Sequence, residues 1–298
     1  MKRKHVLHML VALLVVLAVP FVAAAREVAP VASVDWLEKN LKNPNVVVLD
    51  IRKVEEYKAG HIPGAVNAVY ETWAIMKAGL RNELPETDDL FDAIGSAGID
   101  AKSLVVVVGK VDTLQDRANE TRVAWTLLYA GLKNVAVLDG GYNKWTADKK
   151  TVSLDSVKAK IKSYKGKVNA NLFASKNYIM SRLGKTTIID ARDEELYQGK
   201  KKLDFVQKAG RIKGSKNLFL GLAYAADGTF KDKAGLSALV SGAAGNDKTK
   251  EIIFYCDTGR LATVWAFVTS QVLGYKNVKL YDGSIEEWSK DPKAPMEP

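Results

Sequence analysis

The chain has 298 residues, 47% of them apolar and 26% charged, which is enough for two cores of roughly 100 to 150 residues each and excludes a collagen-like, disulfide-rich or disordered protein. Its 44 Lys and Arg outnumber 34 Asp and Glu for a formal charge of +10, but the basic residues are scattered, so the footprint of a nucleic-acid binder is missing and a small anionic substrate fits the charge as well. One cysteine excludes an intrachain disulfide and a cysteine-based zinc site, and no metal or cofactor is expected, because only His61 lies outside the N-terminal segment that holds His5 and His8.

In chain order, Lys2, Arg3 and Lys4 precede an apolar run from Val6 that closes on Ala23-Ala24-Ala25. This is the small-x-small pattern of signal-peptidase cleavage. Residues 1–25 therefore read as a signal peptide, with Arg26 opening an exported, periplasmic protein whose formal charge falls to +7 without the three basic residues. Uncleaved, the run would be a membrane anchor; its shortness and Pro20 favour cleavage.

An internal repeat organises the rest. Val46-Val47-Val48-Leu49-Asp50-Ile51-Arg52 is matched by Thr187-Ile188-Ile189-Asp190-Ala191-Arg192, and Ala59-Gly60-His61-Ile62-Pro63-Gly64-Ala65-Val66-Asn67 by Ala209-Gly210-Arg211-Ile212-Lys213-Gly214-Ser215-Lys216-Asn217. Asn134-Val135-Ala136-Val137-Leu138-Asp139-Gly140-Gly141 with Trp145 is matched by Asn277-Val278-Lys279-Leu280-Tyr281-Asp282-Gly283-Ser284 with Trp288. Three blocks recurring in the same order mean two copies of one domain. The runs Val46 to Leu49, Val105 to Val108 and Val135 to Leu138, then Thr187 to Ile189, Ile252 to Tyr255 and Val278 to Tyr281, are short and apolar throughout, the mark of strands buried on both faces. Helical stretches at Thr121 to Ala130 and Ala262 to Leu273 each stop at a glycine, Gly131 and Gly274. The alternation predicts an α/β fold with one parallel sheet per copy, helices on both faces, in residues 30–147 and 170–298. Residues 148–169, with seven lysines and no periodicity, read as a solvated linker.

Cys256 follows the strand Ile252 to Tyr255 directly, and Asp257-Thr258-Gly259-Arg260-Leu261 separates it from a helix opening near Ala262. Ligands of open parallel sheets bind at such strand ends. A short strand-to-helix loop turns several backbone N–H groups toward one point, and the helix start adds partial positive charge, so a thiolate is expected at neutral pH. Gly259 supplies backbone freedom, and Arg260 a cation able to hold an oxyanion. Copy one has Gly109-Lys110 at the matching position and no nucleophile, which makes it a structural or substrate-lid partner.

These motifs, twice over and in this order, resemble the rhodanese (sulfurtransferase) family, specifically tandem rhodaneses in which only the C-terminal domain is active. The resemblance implies two rhodanese-like domains, the first catalytically inactive. It also implies that Cys256 accepts a sulfane sulfur as a persulfide from a small anionic donor (thiosulfate, polysulfide or similar) and passes it to a thiol or cyanide, as a thiosulfate sulfurtransferase. Asp257, Thr258, Gly259, Arg260 and Leu261 form the implied substrate loop, with Arg260 on the donor's anionic end, while Asp190 and Arg192 read as a structural pair anchoring it. Many relatives carry an arginine where this chain has Leu196, which disfavours mercaptopyruvate. Arg211 and Lys213, replacing the His and Pro of copy one, are two cations in a loop expected to border the site and bind substrate. Asp257 beside the cysteine opposes an anion unless it turns outward or caps the following helix. A phosphatase or arsenate reductase would need Arg where Ala262 stands. A sulfur carrier that loads once and delivers to a protein partner is the other class, and nucleic acid is not an expected partner.

Overall fold

The structure, a computed structural model, describes residues 26–298; the leader read from residues 1–25 lies outside them. Copy one runs β1 (Val31–Ala32), α1 (Val34–Asn40), β2 (Val46–Asp50), α2 (Val54–Lys58), β3 (Val66–Asn67) and a hairpin β4 (Ile75–Lys77) and β5 (Leu80–Glu83). It continues α3 (Thr87–Ser96), β6 (Leu104–Val108), α4 (Leu114–Tyr129), β7 (Val135–Leu138) and α5 (Gly141–Ala147). Copy two runs α6 (Lys176–Arg182), β8 (Thr187–Asp190), α7 (Glu194–Tyr197), β9 (Arg211–Ile212), β10 (Lys216–Asn217), α8 (Lys233–Ala244), β11 (Glu251–Tyr255), α9 (Thr263–Phe267), β12 (Asn277–Leu280), α10 (Ser284–Trp288) and β13 (Met296–Glu297).

Both sheets are parallel and share one strand order. Copy one is β1-β7-β6-β2-β3 and copy two β12-β11-β8-β10, with the place of β1 taken by a single bridge from Phe173 to Leu280. The expected strand runs all fall on strands, with Tyr281 just beyond the end of β12, and each sheet has helices on both faces. Alternation along the strands decides which face each residue serves. Val105 and Val107 point to one cluster and Val106 and Val108 to another; Ile252, Phe254 and Cys256 face one side of copy two, while Ile253 and Tyr255 face the other.

Two separate cores were the expectation from length, and the packing differs. Each copy has a private cluster on its outer face, around Trp145 and around Trp288. The inner faces merge into one cluster that runs through Trp73, Trp125, Leu127, Val264, Trp265 and Phe267. The seam is α4 against α9, where the Thr121 and Thr263 hydroxyls lie 2.9 Å apart. Helix α4 begins well before Thr121 because Thr113 caps it, its hydroxyl accepting from the Asp116 amide. Among the described residues no helix is long and apolar enough to cross a membrane.

Residues 148–169 are not a free linker. They form an extended strap along copy one: Ser153 pairs with His61 through both backbone bonds, the Lys162 amide donates to the Gly95 carbonyl at 2.9 Å, and buried Tyr164 donates to the Ala130 carbonyl at 2.8 Å. Five of the seven lysines are exposed, while Lys150 pairs with Asp35 and Glu38 and Lys162 with Asp100, and the backbone between them is held. Gly95 lets the strap approach, since a Cβ there would sit 2.3 Å from the Lys162 carbonyl oxygen. Gly95→Ala should therefore lower stability by about 1–3 kcal/mol despite the better helix propensity of alanine, measurable as a lower urea midpoint.

Candidate active site

Cys256 directly follows β11 on the shared-core side and is fully buried. The loop that follows curls back on it: the amides of Thr258, Leu261 and Ala262 all act on the sulfur in the sense that favours thiolate. Burial, and after it the Asp257 carboxylate, outweigh them and push the thiol up. The expected cradle is present, but the thiolate expected at neutral pH is corrected. Docking of copy one on the loop removes the water that would have solvated the charge.

The loop is held by residues that carry no obvious chemical signature. The Ser284 hydroxyl accepts from the Cys256 amide at 3.1 Å and the Gly259 amide at 2.9 Å, and donates to the Tyr281 carbonyl at 2.8 Å. Ser284 does this from a left-handed backbone, φ 48°, which costs a non-glycine residue about 1 kcal/mol and persists because its surroundings fix it. The Ile285 and Glu286 amides donate to the carbonyls of Cys256 and Asp257. Gly259, at φ 71°, passes so close to Asp282 that a Cβ would lie 2.5 Å from its carbonyl oxygen.

Copy one provides the contrast. There the Tyr142 amide donates to the Gly109 carbonyl as Ile285 does to Cys256. The position of Ser284 is Gly141, also left-handed at φ 56°, and the Gly109 amide donates to the buried Glu120 carboxyl at 2.6 Å. Burial holds that carboxyl well above the usual carboxylate range. The residues that form the loop in copy two extend α4 in copy one, and Glu120 occupies the strand end.

Asp190 and Arg192 form the expected pair: Arg192 Nε and Nη2 reach Asp190 at 3.0 and 2.7 Å, and Nη2 also donates to the Gly210 carbonyl at 2.9 Å. Arg52, Asp50 and Gly60 repeat this in copy one, where there is no nucleophile, so the pair is a fold staple. Asp257 turns neither outward nor onto a helix start. It is buried 3.5 Å from Arg192 Nη1 and pushed up to about 6 by burial, with Arg192 opposing. The placement of Arg211 and Lys213 beside the site is also corrected. Arg211 pairs with Glu297 at 3.2 Å and stacks on Tyr197, Lys213 is exposed in a turn whose amide donates to the Pro295 carbonyl, and neither lines the cavities that reach the loop. The reason is β13, which returns to pair with β9 and takes up the loop.

Copy one covers the loop, through contacts that motif reading missed. Asn82, left-handed at φ 57° in the β4–β5 hairpin, donates to the Thr258 hydroxyl at 2.8 Å and accepts from the Tyr70 hydroxyl at 2.9 Å. Arg122, buried on α4, bonds both the Asp282 carboxylate and the Asn82 carbonyl, and Arg81 pairs with Glu286. Tyr70 is close enough to Cys256 for a thiolate to raise the tyrosine, although burial is the larger cause of its upward shift. Arg260 behaves differently. Among the described residues its guanidinium makes no ion pair or hydrogen bond, its Nε is buried, and it lines two cavities, of about 210 and 330 Å³.

Comparison with known proteins bears on this arrangement. The Rhodanese-like domain family matches residues 33–148 and 175–291. A Mycolicibacterium smegmatis protein provisionally named a thiosulfate sulfurtransferase is 30% identical over 89% of this chain and 96% of its own. The sulfur carrier protein TtuD of Thermus thermophilus is 29% identical over 86% of this chain and 92% of its own. Among solved structures, EanB with ergothioneine linked to a cysteine persulfide superposes with a TM-score of 0.79 at 22% identity, covering 90% of this chain and 70% of that one. The anaerobic ergothioneine biosynthesis enzyme of Chlorobium limicola gives 0.77 at 23% identity with the same coverages. The shared sheet order, the staple built twice and the two matched segments make this chain a member of the rhodanese family, with two rhodanese-like domains in tandem.

Proposed function

We propose that the chain is a sulfurtransferase that moves a sulfane sulfur from thiosulfate or a related small anion to a thiol or cyanide through a persulfide on Cys256. The observation that carries this reading is the convergence of three backbone amides on one sulfur atom. In the first half-reaction the Cys256 thiolate attacks the outer sulfur of thiosulfate, the bond to the sulfonate sulfur breaks, and sulfite leaves with the electron pair, giving Cys–S–S⁻. In the second, cyanide takes the outer sulfur, thiocyanate departs and the thiolate is restored. Amides that converge on Sγ are placed to hold the charge of both the thiolate and the persulfide.

The proton must leave first. With the thiol held up by burial and Asp257, loading should accelerate as pH rises from 7 to 9. Asp257→Asn keeps an acceptor toward Arg192 and removes the opposing charge, so alkylation of Cys256 by iodoacetamide should move to lower pH and run roughly threefold to tenfold faster at pH 7. The stability effect has a definite sign. A carboxyl pushed up to about 6 in the fold favours folding below the ordinary carboxylate value, and that contribution is lost as pH rises through 6. The Asn variant should thus melt higher than the parent at pH 7 and no higher at pH 4.

A second reading, a carrier that loads once and delivers to a protein, is favoured by the burial of Cys256 and by the named role of the Thermus relative. Thiocyanate formation from thiosulfate and cyanide separates the two: many turnovers per chain are expected, and a single equivalent would establish the carrier. A +32 Da adduct confined to the Cys256 peptide is expected after thiosulfate alone. Export to the periplasm with cleavage before Arg26 belongs to the same proposal, and the N-terminal mass of the protein recovered from the periplasm tests it.

A further inference from the structure

The sulfur cradle of copy two is tied to copy one at two consecutive residues. Thr258, whose amide is one of the three that act on Sγ, has its hydroxyl held from copy one by Asn82, and Gly259 lies against the Asp282 carboxylate, which copy one also holds. Both ties lead back to one side chain, Arg122. It sits midway along α4, the helix that copy one lengthens where copy two has the cysteine loop.

The Arg122 guanidinium forks across the interface. Nη1 donates to Asp282 Oδ1, while Nη2 donates to Asp282 Oδ2 at 3.2 Å and to the Asn82 carbonyl. Asp282 Oδ1, the oxygen met by Nη1, rests on Gly259, 2.6 Å from where a Cβ would stand, and Oδ2 accepts from the Leu84 amide at 3.2 Å. The Asn82 side chain donates onward to the Thr258 hydroxyl at 2.8 Å. These links close a ring from Arg122 through Asn82, Thr258, Gly259 and Asp282 back to Arg122. Stability alone does not account for it. Arg122 is fully buried and its Nε has no partner, and a buried ion pair that leaves a donor unsatisfied stabilises a fold no better than apolar residues of similar volume often do. Its other neighbours do not complete the set: the Tyr70 hydroxyl is given to Asn82, the Phe173 ring centroid is 5.9 Å away, and Glu83 acts on Arg122 by charge, its buried Oε1 without a hydrogen-bond partner. What a planar fork supplies is direction, since one rigid group fixes two acceptors from different copies at set angles.

We infer that Arg122 is a positioning residue for Cys256: through Asn82 and Asp282 it sets the Thr258–Gly259 turn against the sulfur, so the copy that lacks a nucleophile completes the cradle of the copy that has one. Arg122 lines neither cavity that reaches the loop, so it acts on the loop and not on a donor. The inference rests on the sulfurtransferase reading.

The test uses the full chain and two variants. Arg122→Lys keeps the charge and loses the planar fork. Arg122→Met combined with Asp282→Asn removes both buried charges and keeps an acceptor for the Leu84 amide, so its melting point should stay within a few degrees of the parent. In both, Cys256 should gain 32 Da from thiosulfate roughly tenfold more slowly, the scale of turning one donor away from a charge. Hydrogen exchange of the amides in residues 257–262 should quicken about tenfold while those of β11 keep their protection, a pattern that general loosening of the fold would not give. A folded variant that loads sulfur at the parent's rate, or whose loop exchanges at the parent's rate, overturns the assignment. If the parent itself never gains 32 Da, quicker loop exchange in the variants keeps Arg122 as the residue that sets the loop and sinks the transfer reaction instead.

Discussion

Cys256→Ser should abolish thiocyanate formation, a loss on the order of a thousandfold or more, because an alcohol in the same cradle is neither ionised nor able to hold a sulfane sulfur. The fold should tolerate the change. The serine hydroxyl can accept from the amides that now meet the sulfur, so the melting point should stay within about 2–4 °C of the parent, the shift that roughly 1 kcal/mol gives in a chain of this size. Measurable turnover by a variant whose Cys256→Ser substitution is verified by mass would remove Cys256 from the reaction.

Ser284→Ala should be the most damaging single change outside the cysteine. It leaves the Cys256 and Gly259 amides, both buried, without their acceptor and keeps the left-handed backbone. A loss of about 2–4 kcal/mol is expected, together with a tenfold to hundredfold slower loading, since an amide no longer held by the hydroxyl is free to turn and disturb the cradle. Ser284→Gly relieves the backbone but not the amides and should recover only part of the stability, as the glycine at the same place in copy one relies on Glu120 for that amide. Denaturation midpoints paired with persulfide loading rates check this; a fully active, fully stable alanine variant would refute it.

Much of the architecture was legible because it rests on local rules. The runs around Val46, Val105, Ile188 and Ile253 can only be strands buried on both faces, and their recurrence with the Gly, Asp and Trp positions revealed the duplication. Cys256 was legible because a cysteine between an apolar strand and a glycine-bearing loop has few structural uses. What escaped depends on residues far apart in the chain. Asn82 meets Thr258 only after the copies dock, and nothing near Arg122 announces Asp282, 160 positions away. Arg211 and Lys213 looked like site cations because the return of Met296 and Glu297 to β9 has no local signal. The lysines of the strap masked Tyr164 and a backbone bonded to copy one. Ser284 had one signal, a hydroxyl where the other copy has Gly141, and only geometry gave it meaning.

The seam between α4 and α9 has a consequence for how the molecule comes apart. Severing the chain near residue 169 would bare Trp125, Leu127, Val264 and Phe267 to water at once, so neither half should survive alone as a soluble product, and heating should give a single calorimetric transition rather than two.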